Sequence, residues 1–134
     1  MGRSELREHI FRILFQIEFH DVKELEEQIE LYFEQLEQIK DKDKTYIKEK
    51  YEKIFGMQDE IDGKINEAAS GWKTSRMNRA DLAILRLAVY EMLYDEDIPV
   101  GVAINEAVEL AKKYSSEEGP AFINGILGKL SKTE

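Results

Sequence analysis

Cysteine is absent from the 134 residues, proline and histidine occur twice each, and tryptophan once. Without cysteine there are no disulfides, no thiolate metal ligands and no thiol nucleophile. That absence fits a reducing compartment, and a cytoplasmic protein is expected. His9 and His20 stand eleven positions apart with no ligand spacing around them, which argues against a metal site. No run of about 18 apolar residues exists to span a membrane. Met1-Gly2-Arg3-Ser4-Glu5 leads into charged helix, not into the apolar core of an export signal. A phosphate-cradling glycine loop and a dinucleotide fingerprint are both missing. The 28 acidic residues make close carboxylate pairs by chance, so none is singled out as catalytic. No enzyme activity, metal or cofactor is expected. Cations are also in short supply: 19 Lys and Arg give a net charge of −9. Residues 1–70 hold 11 cations and 18 acids, and residues 71–134 hold 8 and 10. A free-standing nucleic-acid binder usually carries a basic footprint, because each phosphate contact needs a cation nearby.

What the chain does contain is helical periodicity almost throughout. The fold class read from it is all-α, with about seven helices and no sheet. A first helix is expected from about Ser4 to Phe19, with Leu6, Ile10, Ile13, Leu14 and Ile17 on one stripe. Phe15 lies roughly 160° from the centre of that stripe by the 100° rule. An acidic second helix follows from about Lys23 to Ile39. Asp41-Lys42-Asp43-Lys44 reads as a solvated turn, and a third helical stretch covers about Thr45 to Ser70, with a break near Gly56 or Gly63. Gly71 and the segment from Trp72 to Met77 read as the joint between two halves, with Trp72 plugging it. Asn78 is placed to cap the next helix, with Asp81 near its positive end. That helix is apolar nearly all round from Ile84 to Leu93 and is expected to be buried. Pro99 suits the first turn of a two-faced helix, and Gly119-Pro120 restarts the chain for the last one. Asn124-Gly125 reads as a close helix contact.

The stretches "ADLAILRLAVYEML" (Ala80–Leu93), "IPVGVAINEAVELAKKY" (Ile98–Tyr114) and "FINGILGKL" (Phe122–Leu130) resemble the NusB family in order and spacing. The pair "INEAVELAK" and "FINGIL" is the specific part. The opening helix "LREHIFRILFQIEF" (Leu6–Phe19) resembles the family's first helix, whereas residues 21–71 resemble it only in length and helical character. The resemblance implies a single NusB-like domain over 1–134, made of two small helical bundles, an N-terminal one at about 3–70 and a C-terminal one at about 72–132. It implies RNA binding without catalysis. The RNA is boxA of nascent ribosomal RNA, taken together with NusE, a small-subunit ribosomal protein, and the assembly joins the RNA polymerase elongation complex to read through terminators. No membrane is involved. Homodimers occur among relatives, and both states stay open here.

The same resemblance implies an RNA-binding set of Arg3, Arg7, Phe15, Glu118 and Phe122. Arg3 and Arg7 match basic positions at the start of the first helix, although Ser4, Glu5 and Leu6 make the run thinner than in many relatives. Phe15 and Phe122 match aromatic positions used against RNA, where a ring can stack on a splayed base. Phe15 is alternatively covered by the second bundle. Glu118 matches an acidic position beside Phe122, and alternatively is a solvated surface acid. Arg76, Arg79 and Arg86 either pair with acids or line the RNA path. Two other functions fit the same residues: a helical interaction module without RNA binding, and a piece of a ribosomal-RNA cytosine methyltransferase that carries a NusB-like front domain.

Overall fold

The computed structural model describes residues 1–133, and among these the regular structure is helical, with no strand. Seven α-helices occur: α1 Arg3–Ile17, α2 Val22–Gln35, α3 Asp41–Gly56, α4 Gln58–Ala68, α5 Arg79–Leu93, α6 Val100–Tyr114 and α7 Gly119–Thr133. A single 3-10 turn at Thr74–Arg76 precedes α5. None of the helices is long and apolar enough to cross a membrane.

Packing divides the chain into two units, Met1–Phe55 and the residues from Gly56 onward. The N-terminal unit holds α1 to α3. The whole predicted stripe of α1 is buried, and Phe11, Arg7 and His9 are buried with it. The helix therefore hides more of its circumference than one stripe. His9 Nδ1 lies 2.7 Å from the Tyr32 hydroxyl, tying α1 to α2. Lys44 Nζ sits 5.3 Å above the Phe33 ring, tying α3 to α2.

Two boundaries in this unit differ from the sequence reading. The second helix stops at Gln35, because Leu36 turns extended and Gln38 takes a left-handed φ of 63°. The Asp41–Lys44 segment is the first turn of α3 and not a solvated turn. Its acids meet the positive end of the helix dipole, and Asp43 is buried, accepting a 3.1 Å bond from the Met1 amine. A charged composition was legible there; the partner that buries one of the charges was not.

The C-terminal unit is a bundle in which α5 packs on α4, α6 and α7. Every residue from Asp81 to Met92 is buried. Asn78 Oδ1 caps α5 by accepting the Asp81 N–H at 2.8 Å. Arg86 is buried in the bundle and donates from Nε and Nη2 to the two carboxylate oxygens of Asp62, both at 2.8 Å. Desolvation, helped by Asp59, pushes Asp62 up to about 6, and desolvation lowers Arg86 to about 10. The two-pronged geometry is that of a charged guanidinium–carboxylate pair. Arg86 thus takes the acid partner that the sequence reading held as one of two options.

The helix break near Gly56 is present, and Gly63 lies inside α4. Since α4 packs on α5 and α7, the observed division falls at Phe55–Gly56 and not near residue 71. The Gly71–Met77 segment is a surface crossing within the C-terminal unit. Trp72 is 58% exposed there, so it plugs no joint.

Candidate nucleic-acid interface

In the N-terminal unit the relevant residues lie along α1. Arg3, in its first turn, is exposed. Arg7, one turn on, is only 4% exposed. An arginine so covered has little surface to give a phosphate. Arg12 is exposed but pairs with Glu8 at 3.1 Å. Phe15 is half-buried and sits in an aromatic row spaced four residues apart. Its ring stacks on buried Phe11 at 6.1 Å and meets Phe19 edge to face at 5.2 Å. Phe19 itself is 61% exposed. The row therefore climbs from the core to the surface, and Phe15 is its middle rung. Phe19 was not among the residues singled out from sequence, although its i, i+4 spacing from Phe15 was visible.

In the C-terminal unit Glu118 is exposed just before α7, and Phe122 is half-buried in its first turn. Phe122 meets Trp72 with ring centroids 6.0 Å apart and an interplanar angle of 76°. A cavity of about 360 Å³ opens beside this pair, with Arg76, Asn78 and Glu118 on its walls. So the structure brings Glu118 and Phe122 together and adds Trp72 and Arg76. Arg3, Arg7 and Phe15 share the other unit.

The acidic reputation of the chain does not describe this cavity, whose walls carry charges of both signs. Asp81 also lines it, with Oδ1 accepting the Ser115 hydroxyl. Among the described residues no cluster of three or more His, Cys, Asp or Glu is arranged to hold a metal ion. A half-exposed aromatic row in one unit and an aromatic-walled cavity in the other define an all-α protein of two helical units, each with aromatic side chains at its surface.

The NusB family profile matches residues 4–132. The transcription antitermination protein NusB of Agathobacter rectalis is 51% identical over 131 residues, covering 98% of this chain and 100% of that protein. Among solved structures, T. maritima NusB superposes with a TM-score of 0.85 at 34% identity, covering 98% of this chain and 92% of that one. A chain of the complex described as antitermination factors NusB and NusE with dsRNA superposes with a TM-score of 0.83 at 23% identity, covering 98% and 97%. At that identity the likeness speaks for the fold. The chain belongs to the NusB family.

Proposed function

We propose that this protein is an RNA-binding transcription antitermination factor that takes boxA of nascent ribosomal RNA as a heterodimer with NusE, in the cytoplasm, and rides on the elongating RNA polymerase to carry it through terminators. The observation that carries the reading is the whole-length match to a relative named for antitermination, at 51% identity. The description of NusB and NusE in one complex with RNA supports the choice of partners. No catalytic step is part of the function.

In this proposal the single strand is held mainly by aromatic faces and only lightly by charge. Phe15 in one unit and Phe122 in the other stack on bases, a contact worth about 1–3 kcal/mol each. Arg3 contacts phosphate. Glu118 accepts hydrogen bonds from base N–H groups. Arg7 remains in the set as a residue whose buried side chain positions α1, the helix that presents Arg3 and Phe15. NusE brings the positive charge that a chain of net charge −9 lacks.

The test is a titration with short single-stranded boxA RNA, with and without NusE, followed by a terminator read-through assay. Tighter binding with NusE and increased read-through are the expected results. Absence of binding in both conditions, with the protein folded, overturns the reading. The burial of Arg7 favours one rival, an interaction module without RNA binding. Replacing Arg3 and Phe15 together separates the two, since unchanged boxA affinity in that variant would favour the module.

A further inference from the structure

We propose that the cavity beside Trp72 is a pocket for one unpaired base of the RNA, with Trp72 as its stacking wall and Arg76 holding the adjoining phosphate. The inference rests on the RNA-binding reading above and goes beyond it, since neither residue belongs to the set that the family resemblance supplies.

Three observations carry it. First, a tryptophan that is 58% exposed leaves a large apolar ring in water, and here it does so at the mouth of a cavity. Its contact with Phe122 is edge to face at 76°, so it covers at most one face of either ring. A flat ligand can therefore stack on Trp72 without displacing Phe122. The volume of about 360 Å³ falls at the low end of the range of roughly 300–1,000 Å³ common for small-ligand sites.

Second, the backbone that carries the ring is held in place before any ligand arrives. Ser70 and Gly71 adopt left-handed φ values of 48° and 98°, which turn the chain sharply out of α4. The Trp72 N–H closes that turn on the Ala69 carbonyl at 3.3 Å. The Thr74 N–H donates to Asn66 Oδ1 at 2.8 Å, and Met77 is buried at the far end. A segment anchored on both sides of Trp72 loses little entropy on binding.

Third, the charges sort the parts of a nucleotide. Glu118 and Asp81 on the walls repel a phosphate but accept hydrogen bonds from the N–H groups on a base edge. Asn78 spends its carbonyl oxygen on the helix cap, which leaves its amide group as a donor for a base carbonyl. Arg76 is exposed and is the cation of the lining. A base inside with its phosphate outside, against Arg76, satisfies all four groups. A buried phosphate does not.

Trp72 is the one tryptophan of the chain, so its emission reports on the pocket directly. The full-length protein with NusE is titrated with short single-stranded boxA RNA while both RNA anisotropy and tryptophan emission are followed. The signal of Trp72→Phe protein is subtracted to remove the partner's emission. The expected result is quenching that saturates with binding. Trp72→Ala should lower affinity about 10- to 100-fold, with Trp72→Phe keeping most of it. Arg76→Gln should weaken binding and make the salt slope shallower by about 0.7. Both side chains are exposed, and an unchanged melting temperature verifies that the variants fold. If RNA binds with wild-type affinity to Trp72→Ala and leaves the emission of Trp72 unmoved, the pocket proposal fails while the RNA-binding reading stands. If wild-type protein with NusE binds no RNA, both fail. If NusE alone quenches Trp72 and RNA adds nothing, the cavity belongs to the protein partner and the proposal is overturned.

Discussion

Single residues already separate what is held tightly from what is open. A Cβ at Gly119 would run into Ser115, whose hydroxyl is committed to Asp81 and has no freedom to yield. Gly119→Ala is therefore expected to cost about 1–3 kcal/mol, by overpacking, in urea unfolding. Gly125 is the opposite case. Its sequence context suggested a close helix contact, yet nothing lies within 4 Å of where its Cβ would be. Gly125→Ala should raise stability by about 0.5–1 kcal/mol, the usual gain on removing glycine from a helix interior. His9 carries a pH signature. Burial lowers its pKa from the ordinary 6.5, Arg12 adds to the lowering, and Glu5 and Glu8 oppose it. The unfolded chain therefore takes up the proton more readily than the folded one. The stability that neutral His9 contributes is present above about pH 6.5 and is lost as the pH falls through the lowered value. Between about pH 7 and 5.5 the wild type should lose urea stability relative to His9→Gln, a difference in which the opposite trend from the raised pKa of Asp62 cancels. A difference that does not vary with pH would mean that His9 does not carry the effect. None of this was legible in the chain, because each effect depends on which neighbour a fold brings near.

At the scale of elements, sequence patterning did well where one force dominates. The α5 pattern is apolar on all sides, and a helix of that kind has nowhere to go but the centre of a bundle. Its start was equally readable. Asn78 is a strong cap, and the bond from the Asp81 N–H is in place. Asn78→Ala should cost about 1 kcal/mol in thermal or urea unfolding, with Asn78→Ser recovering most of it. Patterning did less well at Asp41–Lys44 and Leu36–Ile39. Four alternating charges look like turn residues until the dipole of α3 and the Met1 amine are known to use the acids. The end of α2 depends on a left-handed residue at Gln38, and glutamine announces no such conformation. The segment from Gly71 to Met77 suffered in the same way. Its glycine marked a change of direction correctly, but assignment to a joint needed the packing of α4, which places the segment inside the C-terminal unit.

For the whole molecule the question is how an acidic chain deals with an anionic polymer. With Arg7 buried and Arg12 paired to Glu8, α1 offers Arg3 as the exposed cation of the proposed set, and the C-terminal unit offers Arg76 beside its cavity. Two phosphate contacts on a single strand predict a slope of about −1.4 for log affinity against log salt. Titration of boxA RNA at several salt concentrations should give that shallow dependence for the chain alone and a steeper one with NusE. A slope several units steeper for the chain alone would mean that further cations reach the RNA. By itself the sequence determined the all-helical class, the central helix and its cap, the family, and four of the surface positions worth testing, because periodicity, capping chemistry and the "INEAVELAK … FINGIL" spacing are local properties of a chain. Tertiary structure alone decided that Arg7 turns inward and that Arg86 belongs to Asp62. It also decided that Phe15 is one rung of an aromatic row and that the lone tryptophan stands open beside a cavity. Burial and pairing are set by residues far along the chain, and no spacing rule carries that information.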